Sequence, residues 1–410
     1  MIKKPAGTQD FLPSDVYKRN FVTGKVREIF GLYNYREIQT PTFEKTELFR
    51  RGIGEETDVV SKEMYSFNKD EFTLKPEMTA PVIRSYIENS LFNLPGIQKL
   101  FYISNMYRHE RPQAGRFREF TQFGAEAIGS DDILIDVEMI LLSLHILEEF
   151  GLNNIYTKIN TIGTPEERKN YLENLKNYLN DFTDSLSETS RIRLQKNPLR
   201  ILDTKDAKEI SILDNAPILF DYLNDDSRKK FEGVIKILDK AHVRYKVDYR
   251  LVRGFDYYTS TTFEVISDEL GSQNAILGGG RYDNLIQQLG GKQTPAIGFA
   301  CGLERLMMVL EKNNFGFPDE PKPDIYIVIA DESSKEFAFD LLEKLRRQGL
   351  ICDTNFTGKS VKSQIKEADK MKAGYVIVIG ENEIKSGKAV LKKLSDGSEN
   401  EIDLSEKINL

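Results

Sequence analysis

Only two cysteines, Cys301 and Cys352, and three histidines occur among 410 residues. Two thiols so far apart in sequence make no disulfide framework, and so few Cys and His make no zinc site of the usual spacing. Any metal is expected to be held by carboxylates and phosphates. Long apolar runs are missing too. No stretch approaches the roughly 20 residues of a membrane-spanning helix, and the opening MIKKPAGTQDFLPSD has none of the apolar core of a signal peptide. A cytoplasmic protein with no membrane partner is the expectation. Nor is there a glycine-rich phosphate cradle. Gly358, Lys359 and Ser360 imitate the end of a mononucleotide loop, but Asp353 stands where its first glycine is needed, and Gly278, Gly279 and Gly280 miss the dinucleotide spacing. A bound nucleotide would have to be gripped by arginines and an aromatic ring.

The length predicts two or three domains at roughly 100–200 residues each, and a 40% hydrophobic content is enough to fill their cores. A net charge of −7 argues against general affinity for nucleic acid. The local distribution says more. From Lys344 to Lys393 there are twelve Lys and Arg against five Asp and Glu, which marks this segment as a footprint for a polyanion. A solvated helical face would have the same composition.

Periodicity divides the chain. Ser14 or Asp15 can cap an amphipathic helix reaching Phe30, and a strand over Tyr35–Thr40 stops at Pro41. Asp131–Phe150 reads as a helix with Ile135, Met139, Leu142 and Ile146 on one stripe. From Pro165 to about Lys240 the pattern is helical without strand alternation, the mark of an insertion. Strands return at Tyr245–Tyr249, Thr261–Ile266, Asn274–Leu277 and in the run IGFAC, after which Gly302 opens a helix. The prolines of FGFPDEPKP mark a linker. Beyond it, alternating strands and helices predict a small α/β domain with a mainly parallel sheet, ending in an acidic edge strand and a loose tail.

One segment carries chemistry. In NMYRHERPQAGRFREFTQFGAEAIG, Asn105 to Gly129, two strand-like runs flank an arginine-rich loop. Alternation places Phe120, Gln122, Gly124 and Glu126 on one face, and Phe117, Glu119, Thr121, Phe123 and Ala125 on the other. The first face suits a ligand with polar handles better than a dry core, where each unpaired polar group costs roughly 1–3 kcal/mol. Arg108, Arg111, Arg116 and Arg118 crowd the same loop and repel one another unless an anion lies among them. Guanidinium groups bind phosphate oxygens in pairs. A basic hairpin at a sheet edge would share this spacing.

This segment resembles the second signature motif of class II aminoacyl-tRNA synthetases, in the form found in the histidyl family. The resemblance continues in GTQDFLP (Gly7–Pro13), TPTFEKTELFRR (Thr40–Arg51), LKPEMTAP (Leu74–Pro81), LVRGFDYYTSTTFEV (Leu251–Val265), GGGRYDNL (Gly278–Leu285) and PAIGFACGLERL (Pro295–Leu306). It implies an α+β fold: an antiparallel-sheet catalytic domain over residues 1–320, a helical insertion at 165–240, and a C-terminal α/β anticodon-binding domain at 321–410.

By the same resemblance, ATP would be bound by Arg108 at the α-phosphate, Glu110 at the adenine amine, Arg116 at the terminal phosphates, and Phe120 and Arg305 on the two faces of the ring. Read alone, Arg305 would pass for a surface arginine. Glu77, Met78, Thr79, Gln122 and Glu126 would form the L-histidine pocket with Tyr257 and Tyr258, which otherwise read as aromatic packing, and Arg108 and Arg253 would reach into it. Met78 stands where the family commonly has glycine, which narrows the freedom of that loop. Arg253 and Arg108 would be catalytic, sharing the charge of the transition state with Mg²⁺ on the phosphates. The expected partners are tRNA(His) and a second copy of the chain, joined through Thr40–Arg51. A histidine-binding regulatory paralogue of an ATP phosphoribosyltransferase is the alternative. Such paralogues typically lack the C-terminal domain and lose catalytic arginines.

Overall fold

Proline at the first helical position needs no hydrogen bond there, so the first helix, α1 (Pro13–Leu32), begins at Pro13 with Leu12 as its cap. Asp15 turns back to accept a bond from the Leu12 amide at 3.3 Å; the cap falls earlier than Ser14 because proline already fixes the helical φ. The computed structural model describes residues 1–54, 57–110, 115–267 and 274–410. They divide into two units, Met1–Phe317 and Pro318–Leu410.

In the first unit β1 (Arg36–Glu37) is a two-residue strand, shorter than Tyr35–Thr40. A small three-stranded sheet follows, built from β2 (Phe43–Lys45), then, after α2 (Thr46–Ile53), from β3 (Tyr65–Phe67) and β4 (Phe72–Leu74). Next come α3 (Thr79–Glu88), β5 (Gln98–Tyr107), β6 (Glu119–Ile128), α4 (Ile133–Glu149) and β7 (Ile155–Thr161). The inserted helices are α5 (Pro165–Asn180), α6 (Glu188–Lys196), α7 (Ala207–Leu213) and α8 (Asp225–Lys240). The unit closes with β8 (Tyr245–Val247), β9 (Thr259–Ser267), β10 (Ala275–Arg281), α9 (Leu285–Gln288), β11 (Ala296–Gly302) and α10 (Leu303–Lys312).

The main sheet has eight strands in the order β1-β5-β6-β11-β10-β9-β7-β8. Its inner pairs are antiparallel, and only the edge strands β1 and β8 run parallel to their neighbours. Because successive side chains alternate between faces, register decides what each face can hold. One cross-strand row reads Phe101, Ala125, Phe299, Gly279, Phe263, Ile159. Its large members join the main core under α1, α4, α8 and α10. The next row faces the other way and reads Tyr102, Gly124, Ala300, Gly278, Glu264, Lys158; beside it run Leu100, Glu126, Gly298, Gly280, Thr262 and Asn160. This face is nearly bare at its centre, and the site lies there.

The insertion is not helical throughout in one body. α8 buries Phe231, Val234 and Leu238 in the main core beside α4, while α5, α6 and α7 place Tyr171, Leu175, Leu194 and Leu213 in a second core with Tyr86, Tyr102, Tyr257 and Tyr282. Two amphipathic stripes bound for different cores look alike in sequence.

The second unit contains β12 (Ile325–Ile329), α11 (Lys335–Arg347), β13 (Cys352–Thr354), α12 (Val361–Lys370), β14 (Tyr375–Ile379), α13 (Glu381–Ser386), β15 (Lys388–Lys393) and β16 (Glu399–Asp403). β13, β12 and β14 are parallel, and β15 and β16 extend the sheet antiparallel. Lys388 and Lys392 pair with Glu401 and Glu399 across that edge. The tail beyond is tied down, since Leu404 and Ile408 are buried in the unit's own core.

Candidate active site

A cleft of about 840 Å³ opens over the bare sheet face. Of the residues singled out from sequence, Arg108, Glu110, Arg116, Phe120, Gln122, Arg253 and Arg305 line it. The opposite wall comes from the insertion through Arg193, Arg200, Lys205 and their neighbours.

At the outer end, the carboxylate of Glu110 lies between two guanidinium groups, 3.2 Å from Arg116 and 3.6 Å from Arg108. The anion that the arginine cluster demands is, in this structure, supplied by the chain itself. Arg118 is not free to join them: it donates to the carbonyls of Glu110 and Ala6. Arg111 lies outside the described residues. Arg108 is anchored through Nε to the Pro76 carbonyl at 2.8 Å, and its guanidinium stands 5.3 Å from the Phe120 ring centre. Arg305 reaches the Ala275 carbonyl at 2.6 Å; burial, then the nearby Arg116 charge, push its pKa below the ordinary arginine value.

Glu77, Met78, Thr79, Glu126, Tyr257 and Tyr258 do not line the cleft. They are buried behind it. The Glu77 carboxylate accepts the Thr79 and Ala80 amides at 2.7 and 2.9 Å, at the start of α3 where the helix dipole favours an anion. The Thr79 hydroxyl donates to Glu126 at 2.9 Å, and the Tyr282 hydroxyl donates to its other oxygen. Burial, opposed by the Tyr282 and Thr79 bonds and aided by the Glu77 charge, leaves the Glu126 carboxyl pushed up to about 8. Tyr257 packs on Tyr258 and Tyr282 with ring centres 4.7 and 5.7 Å apart. Met78 has φ −113°, open to any L-residue, so no glycine freedom is needed; its side chain fills the second core.

Arg253 lines the cleft beside this buried cluster, next to Tyr258. It pairs with Glu264, and although burial opposes its charge, Glu264 and then Tyr258 hold its pKa above the ordinary value. The guanidinium lies against Gly278, where a Cβ would come within 2.6 Å of Nη1. Gly298 is bare for the same reason, because a Cβ there would run into the Glu126 carboxylate. The loop carrying Arg253 is stitched to the insertion: Arg200 and Asn197 each reach Asp256 at 3.2 Å, and Arg168 donates to the Tyr258 carbonyl at 2.9 Å.

Tyr282, Glu264 and Glu304 escaped the sequence reading. All three sit within stretches already singled out, and the alternation of the first two with the glycines could have placed them on the site face. Glu304 gives no such signal, because an acid in the first turn of a helix ordinarily faces water. Among the described residues no group of three or more Cys, His, Asp or Glu could hold a metal ion.

An antiparallel sheet carrying a motif-borne arginine pair and no glycine cradle is the catalytic architecture of a class II aminoacyl-tRNA synthetase. A family model described as histidyl-tRNA synthetase matches residues 7–306, and one described as an anticodon binding domain matches 324–410. The chain belongs to the histidyl-tRNA synthetase family. A histidine–tRNA ligase of Halothermothrix orenii is 46% identical over 98% of this chain and 97% of its own, and one of Acetivibrio thermocellus 45% identical over 98% of each. The apo histidyl-tRNA synthetase of S. aureus aligns with a TM-score of 0.83 at 36% identity, covering 99% of this chain and 98% of its own.

Proposed function

We propose that this chain is a histidine–tRNA ligase acting in two steps. A carboxylate oxygen of L-histidine attacks the α-phosphorus of ATP, breaking its bond to pyrophosphate. A hydroxyl of the terminal ribose of tRNA(His) then attacks the acyl carbon and releases AMP. The observation that carries this reading is the buried, hydrogen-bonded Glu77–Thr79–Glu126–Tyr282 cluster behind an arginine-lined cleft, with Arg253 on the cleft's wall.

In this reading Glu77, Thr79, Gln122 and Glu126 receive the ammonium and imidazole of histidine, closed in by Tyr257 and Tyr258, and Met78 backs the pocket as packing. Fixed polar groups reject ligands that leave them unpaired by factors of roughly 10⁴–10⁵, so editing is unnecessary. Arg108 and Arg253 stabilise the charge growing on the α-phosphate because they are already in place and need no reorganisation. Arg116 takes the terminal phosphates, exchanging Glu110 for them; Glu110 is then released to the adenine amine, and Phe120 and Arg305 enclose the ring. Mg²⁺ suits such a site only as a companion of ATP, held by phosphate oxygens with one or two carboxylates; Glu63 and Glu264 are among the acids that line the cleft. Bound there, it would screen phosphate charge.

The Lys- and Arg-rich segment Lys344–Lys393 of the second unit is the partner for the tRNA anticodon, and the cytoplasm is the compartment. A homodimer through Thr40–Arg51 is supported by an aromatic cluster at that segment, where Phe43 and Phe67 are 50% and 43% exposed with rings 5.8 Å apart. The regulatory alternative is weakened because Arg108, Arg116, Arg253 and Arg305 all line the cleft and an anticodon-binding domain is present over residues 324–410. The test is histidine-dependent exchange of pyrophosphate into ATP without tRNA. Exchange with histidine alone supports the ligase; histidine binding without exchange supports the regulator.

A further inference from the structure

Three elements distant in sequence meet at the carboxylate of Glu304. It sits in the first turn of α10, only 7% exposed. One partner is Arg19 of α1, whose Nη2 lies 3.0 Å from Glu304 Oε1 and 2.8 Å from the Thr121 hydroxyl. The other is β6. The ladder between β6 and β11 ends at Gln122 opposite Gly302, and the next amide, Thr121 N–H, is taken by both Glu304 oxygens at 3.1 Å. The carboxylate thus continues the sheet where the strand has turned into a helix. Arg19 is itself held, with its guanidinium 3.8 Å from the Phe11 ring centre.

What flanks this junction gives it a function. Thr121 follows Phe120, and Glu304 precedes Arg305. On the reading above, on which this inference rests, Phe120 and Arg305 are the two faces of the adenine slot. We propose that Arg19 and Glu304 are positioning residues that set the width of that slot, by locking the strand bearing Phe120 to the helix bearing Arg305. Glu304 borders the cleft, but both its carboxylate oxygens are committed to the Thr121 amide and one also to Arg19. Their effect is indirect, and a misplacement near 1 Å at a reactive site is worth up to about a hundredfold. A buried ion pair with one partner removed leaves the other uncompensated, so the local geometry relaxes by moving one wall of the slot.

The experiment is pyrophosphate exchange with Glu304→Ala, Glu304→Gln, Arg19→Ala and Arg19→Lys, alongside Phe120→Leu and Arg305→Gln, with circular dichroism to establish folding. The expected result for Glu304→Ala and Arg19→Ala is a KM for ATP raised on the order of tenfold with an unchanged KM for histidine. Glu304→Gln and Arg19→Lys, which keep an acceptor and a cation, should recover part of the loss. Should the alanine variants not fold, the Gln and Lys variants carry the test with a smaller shift in the same direction. Equal changes in both KM values, or none in a folded variant while Phe120→Leu and Arg305→Gln raise the ATP value, would overturn the positioning role and leave the slot intact. No ATP effect from Phe120→Leu and Arg305→Gln would instead remove the slot assignment itself.

Discussion

Glu126 keeps a proton in the folded chain at pH values where an exposed glutamate has lost it. Its carboxyl, ordinarily at 4.5, is pushed up to about 8 chiefly by burial. Between those values the native state binds a proton that the unfolded state does not, so its contribution to stability falls as pH rises through the window. Glu126→Gln removes that dependence. Thermal melts without ligand should show the variant gaining on the parent from about pH 5 to about pH 9, and a constant gap would refute the assignment. Histidine supplies a cation, so its affinity should rise over the same window in the parent and lose that rise in the variant. At Arg253, replacement by Ala should lower single-turnover adenylate formation by a factor on the order of 10²–10³. A near-normal rate in a folded variant would sink its catalytic role. The shared face of Phe120, Gln122 and Glu126 was legible because strand alternation sorts side chains without help from distant parts of the chain; Arg108 and Glu110, beyond the strand's end, were named through the motif they belong to. Glu304 was not legible, because its partners are at positions 19 and 121, and nothing local records such a meeting.

At the level of elements, the glycines of β10 and β11 are where the site is most exposed to damage. Gly278→Ala would place a methyl group against the Arg253 guanidinium, displacing it from its pairing with Glu264. The expected outcome is a fall in exchange rate of about tenfold or more, as for other lost preorganised donors, with a melting point shifted far less than in Gly279→Ala. That neighbouring Cβ would strike Phe299 and the Gly298 carbonyl, which are core and backbone. If the two variants behaved alike, the division of the sheet into a working face and a packing face would be wrong. Strands and helices were mostly legible here, since periods of 2 and 3.6 are local signals. The exceptions follow a pattern. β1 is shorter than its apolar alternation suggests because it is an edge strand with one neighbour, β5. α8 was grouped with the other inserted helices because an apolar stripe does not name the surface it will cover.

For the whole molecule, each unit has its own buried core, the condition for folding alone. A fragment ending within the linker, near Pro318, should keep histidine-dependent exchange within a few-fold while tRNA charging falls steeply. Parallel loss of both activities would mean that the second unit supports the first step too. The boundary was visible as a change from mixed patterning to regular strand–helix alternation across a proline-rich stretch. What each unit does to a bound tRNA has no such local signature, because it depends on surfaces assembled from many segments.

The bare face of the main sheet has a further consequence, in time and not in space. Gly124, Gly278 and Gly298 lie on the inner strands of eight, with the largest core of the molecule pressed against their backs. Amides in such a place exchange with solvent hydrogen only when the entire unit opens. The floor on which the reacting groups rest is therefore among the last parts of the molecule to come apart, and warming should take away ATP-site geometry and the main core together, while the small β2-β4-β3 sheet frays earlier.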